Sequence, residues 1–239
     1  PGTPTRMATA SLLRESLWKA IDYKEKWDKY TSDLEQYEHD IRAFEDASKP
    51  SSSDAKVSTE GMLVESREIE DKPERPDRPE KDLQCESLLP VINGCIPLKI
   101  HAHRQDDILT AIRLCNEFSL KYTLEHCTEG HLIADVLKEE YVNGQHESRG
   151  IGFPSGRGGK LLGLVVGPMI GDRSKPELSN LTIKTASVLN EAGLPVAIMT
   201  DHPCVPQQYL ALSAAISVKG GMSTDDAIRS ITINPARIL

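Results

Sequence analysis

The sequence predicts an α/β fold built on a parallel sheet, and two observations carry that expectation. Short apolar runs alternate with helical patterns from residue 83 onward, the spacing expected of βα units. The runs Leu161-Leu162-Gly163-Leu164-Val165-Val166 and Pro195-Val196-Ala197-Ile198-Met199 are apolar throughout, as in strands buried on both faces.

Strands are expected at 96–100, 122–126, 161–166 and 195–200. Helices are expected at 106–118, 130–138, 180–192, 209–218 and 224–231. The last has a capping-box start, Ser223 followed three residues later by Asp226. Three zones differ in composition. Residues 1–47 form a helical segment, with Leu12, Leu13, Leu17, Ile21 and Trp27 near helical spacing. Residues 48–82 hold Pro50, Pro73, Pro76 and Pro79, a Ser51-Ser52-Ser53 run and dense charge, and read as a flexible charged insertion. Residues 83–239 carry the βα units, interrupted by a Gly- and Ser-rich stretch at 143–160 that reads as a long loop. Gly163, Gly167 and Pro168 suggest a turn around the third strand.

Composition excludes several function classes. A formal charge of -8 argues against a nucleic-acid binder, which needs clustered Lys and Arg. No apolar run is long enough to span a membrane, and the first 14 residues lack signal-peptide order. No dinucleotide or phosphate-loop glycine motif occurs. The 5 cysteines form no CxxC pair, so free thiols in a reducing cytoplasm are expected. Cys127 and Cys204 read as packing residues, with no neighbour to activate a thiolate.

The chemistry concentrates at strand ends. The first strand runs into His101-Ala102-His103, the second into His126, and the fourth into Asp201-His202. In a closed βα barrel the C-terminal strand ends converge on one face, where active sites lie. Imidazoles and a carboxylate are ligands for zinc or a similar divalent ion, and do not choose among Zn, Fe, Mn and Ni. A lone histidine after a strand is more often structural; the coincidence of three strand ends carries the argument.

These motifs resemble a known family. Leu98-Lys99-Ile100-His101-Ala102-His103, Leu124-Glu125-His126-Cys127-Thr128-Glu129-Gly130-His131, Met199-Thr200-Asp201-His202-Pro203 and Thr232-Ile233-Asn234-Pro235-Ala236 look like the later strands of the amidohydrolase superfamily. The imidazolonepropionase-related branch is the one most similar, and Pro4-Thr5-Arg6-Met7 and Leu13-Arg14-Glu15 also look like it. The resemblance implies a TIM-like (β/α)8 barrel in which His101 closes strand five, His126 strand six and Asp201 strand eight. It implies a metal-dependent hydrolase of amide or cyclic amide C–N bonds, with His101, His126 and Asp201 as metal ligands. Asp201 would also be the catalytic proton acceptor. His103, His131 and His202 either bind substrate or serve as loop and hydrogen-bonding histidines. Arg173 and Lys175 either hold an anionic substrate or belong to a solvated charge run.

One departure narrows these expectations. The family carries a His-x-His pair on its first strand, and no such pair precedes His101. The chain therefore reads as a partial barrel with the early strands missing. Two readings compete: a C–N hydrolase active when the barrel is complete, and a truncated, non-catalytic fragment or split-enzyme subunit. The expected partners are a small-molecule substrate and either the missing N-terminal barrel segment or further copies of the chain.

Overall fold

The computed structural model describes residues 5–47, 72–145, 158–171 and 173–238. The expectations placed on 48–71, and on the loop centre at 146–157, lie outside these residues.

Four parallel strands form one sheet in chain order: β1 (Leu98–Ala102), β2 (Lys121–His126), β3 (Lys160–Val166) and β4 (Val196–Ile198). Helices α1 (Arg6–Ala47) and α2 (Leu83–Ile92) precede the sheet. Between strands lie α3 (Gln105–Glu117), α4 (Ala134–Gln145) and α5 (Thr185–Glu191), and α6 (Leu210–Lys219), α7 (Thr224–Ser230) and α8 (Ile233–Ile238) follow β4.

The side chains explain the layers. Tyr122, Leu124, Leu164, Val166, Val196 and Ile198 join Ile108, Leu137 and Leu189 of the helices in one buried cluster. That face is dry and apolar. The alternate residues build a different surface. Val165 and Ala197 meet Ile238 and Met199 in a small second cluster. Beside it, Thr123 donates to Glu125 at 2.7 Å, and Lys99 pairs with Glu125 at 3.7 Å. In the β1–β2 register His101 lies opposite Glu125, so it belongs to this second, polar face.

The observed elements correct several sequence expectations. β1 begins two residues later than expected, because Pro97 has no N–H for the ladder and Ile96 stays 50% exposed. His101 therefore sits inside the strand. β4 ends at Ile198, so Asp201 stands on the following turn. α2 was hidden by Pro90, which lies inside it. Its start is set by Asp82, whose carboxylate accepts from the Gln84 and Cys85 amides and from Lys19 Nζ at 2.6 Å. Those donors hold the Asp82 carboxyl down to about 2, the Lys19 hydrogen bond foremost. Gly167-Pro168 does follow β3, whereas Gly163 is mid-strand: a Cβ there would meet Ile238 Cγ1 at 2.6 Å. The Ser223 cap of α7 is present, its Oγ accepting from Asp226 N at 3.1 Å.

Helix α1 has 42 residues, about 63 Å at the α-helical rise. Its first half packs on the body. Leu17 joins the main core, Trp18 meets Phe118 edge-on at 5.5 Å, and Arg14 pairs with Glu117 at 2.6 Å. Along residues 72–82, Pro73, Pro76 and Pro79 are half-buried while the residues between them are exposed. That three-residue period is the polyproline II repeat. The segment lies near α1, with the Arg78 guanidinium 5.3 Å from the Trp27 ring.

Candidate metal centre

Three imidazoles converge at the C-terminal ends of β1 and β2. The ring centroids of His101 and His126 are 4.1 Å apart, those of His101 and His103 4.6 Å, and those of His103 and His126 4.7 Å. One nitrogen from each lies within 4.8 Å of the others. His101 and His103 reach the cluster by strand alternation, being two residues apart. His126 does not. Alternation after Leu124 would send it to the helix-covered face, opposite Ala102. Its φ of 68° breaks the strand, and Cys127 follows with φ 50°. Two consecutive non-glycine residues in the left-handed region cost about 1–3 kcal/mol each, a strain found where a site demands it. Asp201, on the turn after β4, shows the same feature with φ 57°.

The turn after β2 is fastened to the end of β1. Cys127 N donates to Ala102 O at 3.0 Å, and Glu129 N to His103 O at 2.9 Å. Cys127 is fully buried, and burial pushes its thiol up to about 12, as suits a packing residue. Gly130 is required beneath it, since a Cβ there would meet Cys127 Sγ at 2.6 Å.

Hydrogen bonds orient the rings. His126 Nδ1 lies 2.8 Å from the Gly167 carbonyl. A carbonyl only accepts, so Nδ1 carries a proton and donates it. His103 Nδ1 shares a 2.8 Å hydrogen bond with Thr128 Oγ1. Behind them, Thr185 Oγ1 donates to Thr128 O at 3.2 Å, and His131 Nδ1 lies 3.1 Å from both. Burial, with His126 and His101 beside it, drives His103 down to about 4. Burial and His126 lower His101 as well, against the opposing charges of Asp201 and Glu177. Both rings are therefore neutral near pH 7, the form in which imidazole binds a metal.

This donor set fits a divalent ion: three clustered imidazoles, two of them oriented by hydrogen bonds at Nδ1, with His101 exposed. Of the residues that the sequence singled out, His101 and His126 are brought together, and His103 joins them in the same group. Asp201 lies outside that group, half-buried and close enough to act electrostatically on His101. His131 stands in the supporting layer, and His202 is exposed. A cavity of about 340 Å³ opens beside His126, lined also by Arg173, Leu181 and Thr182. Arg173 donates to Leu181 O at 2.7 Å. A second, of about 380 Å³, opens beside His101 and His103, with Arg6, Asp107 and Glu177 on its walls. Sequence reasoning assigned no role to Thr128, Thr185 or the Gly167 carbonyl. A backbone carbonyl leaves no mark in sequence, and Thr128 is distinguished only by following His126 closely.

No family model matches the chain, and no curated protein matches it. Among solved structures, it is similar to an amidohydrolase from Thermotoga maritima MSB8, with a TM-score of 0.69 and 29% identity. The match covers 98% of this chain and 45% of that one, so the chain spans less than half the length of its structural neighbour. The likeness supports placement in the amidohydrolase superfamily. The four-stranded parallel sheet with its helices is consistent with part of a TIM-like barrel.

Proposed function

We propose that this chain is a metal-dependent hydrolase that cleaves an amide or cyclic amide C–N bond through metal-activated water. The observation that carries the reading is the convergence of His101, His103 and His126 on one point, above adjacent parallel strand ends. The likeness to a solved amidohydrolase supports the reaction class. The motifs described above favour the imidazolonepropionase-related branch.

His101, His126 and Asp201 would hold the ion, with zinc expected first and Fe, Mn or Ni as alternatives. His103 stands within the same group of imidazoles. When bound, the ion lowers the pKa of a water toward neutrality and polarises the carbonyl under attack. The chain's own groups do the rest. Gly167 O and Thr128 Oγ1 fix the rings of His126 and His103. Asp201 takes a proton from the attacking water and delivers it to the leaving nitrogen as the C–N bond breaks. Arg173, which lines the cavity beside His126, would meet an anionic part of the small-molecule substrate. His202 and His131 would contribute at the rim and behind the cluster.

The test is turnover of a panel of amides and cyclic amides by the zinc-loaded protein. Asp201→Asn is expected to lower kcat by about 10²–10⁴-fold, the usual share of a proton-transferring group. Unchanged turnover would refute the role of Asp201.

A second reading rests on a specific observation. Among the described residues, the polar face around Lys99 and His101 lacks a helix layer like that of the opposite face, and α8 covers it at the β3–β4 end. In that reading the chain works only when another segment, or another copy, completes the barrel over that face. Zinc-loaded chain that turns over nothing alone, and gains activity when such a segment is added, would favour it. No described helix is long and apolar enough to cross a membrane.

A further inference from the structure

The catalytic reading leaves the buried carboxyl group of Glu129 unused. Glu129 is 4% exposed, and its two carboxylate oxygens bind two different loops. Oε2 accepts from the Gln105 amide at 2.8 Å, and Oε1 accepts from Asn180 Nδ2 at 2.9 Å. Its own amide donates to His103 O at 2.9 Å. Three segments thus meet on one residue. The first is the β1–α3 connection with His103, and the second the β2–α4 turn with His126. The third is the β3–α5 loop with Arg173 and Glu177.

The Gln105 bond has a local reason. Arg104, the N-cap residue of α3, makes no side-chain cap, so the first amides of α3 need an outside acceptor. A carboxylate is the best acceptor at a helix N-terminus, where it also opposes the positive end of the macrodipole. An aspartate or serine at position 104 would serve α3 equally well. It would not reach Asn180 or tie the helix to the turn that carries His126. Burying a charge without strong partners is expensive, so a surface cap is the cheaper solution for stability alone.

We propose that Glu129 is a positioning residue. It staples the three loops around the imidazole cluster and so fixes the angle between the rings of His103 and His126. The proposal rests on the metal reading above, and its test separates the two.

The full chain, as wild type, Glu129→Ala, Glu129→Gln and Asn180→Ala, is titrated with Co²⁺ and followed by its d–d absorption. Amide hydrogen exchange is recorded on the metal-free forms. Loss of a group that orients metal ligands typically costs 10–100-fold in affinity, and about that loss is expected for Glu129→Ala. Asn180→Ala, which frees one arm, is expected to lose less, and Glu129→Gln to fall between. In exchange, Glu129→Ala should deprotect the first turn of α3 and residues 179–183 together, leaving the sheet protected. Wild-type Co²⁺ affinity and spectrum in a folded Glu129→Ala would overturn the proposal. So would deprotection of α3 alone. If the wild type takes up no Co²⁺, the metal reading fails, and paired deprotection of both loops still supports the staple.

Discussion

The two faces of the sheet are made of opposite materials. One carries Tyr122, Leu124, Leu164 and Val196, all at 0% exposure, beneath a continuous helix layer. The other carries Lys99, His101, Thr123 and Glu125, with a small apolar cluster only at its β3–β4 end. The first face holds the fold together through apolar burial. The second positions polar groups, with apolar burial confined to the Val165, Ala197 and Ile238 cluster. The difference teaches that substitutions should separate cleanly into those that unfold the protein and those that silence it.

Leu164→Ala should give the largest stability loss. It removes a fully buried side chain under the helices, at a cost of about 2–5 kcal/mol in urea denaturation. A cost below about 1 kcal/mol would mean that this face is not the core.

His126 sharpens the contrast, because its backbone is strained. At φ 68°, alanine is penalised and glycine is not. His126→Gly is expected to be more stable than His126→Ala by about 1 kcal/mol, while both lose metal binding. Equal stability would argue that the left-handed turn relaxes when the imidazole is removed.

A third effect concerns pH. His103 is held down to about 4 in the fold by burial and its two histidine neighbours, against an ordinary value of 6.5. The unfolded chain then binds more protons between those values. The stability of the metal-free protein is therefore full above about pH 6.5 and declines as pH falls toward 4. His103→Gln should flatten that part of the denaturation profile. An unchanged slope would place its origin in other groups.

The contrast between faces also marks what was legible in the sequence. β3 announced itself through an unbroken apolar run, since its residues are buried on both sides. The helix from Gln105 showed through Ile108, Ile112 and Cys115, spaced for one buried stripe. Helix α2 did not, because Pro90 reads as a breaker and Asp82 was absorbed into a charged segment. At the site, His101 and His126 stood out by residue type and place. Their geometry was hidden. Nothing in the letters shows that His126 reverses its strand, or that Gly167 lends a carbonyl from another strand. Glu129 appeared only as a letter of the His126 motif, because its partners, the Gln105 amide and Asn180, lie far along the chain.

The central claim is that His101, His126 and Asp201 hold a divalent ion, with His103 in the same group of imidazoles. X-ray absorption at the zinc edge of the zinc-loaded chain tests it most directly. The account predicts a shell of imidazole nitrogens at about 2.0–2.1 Å that thins when His126 is replaced by Ala. Zinc that is lost on dialysis, or held by a shell without imidazole, would contradict it.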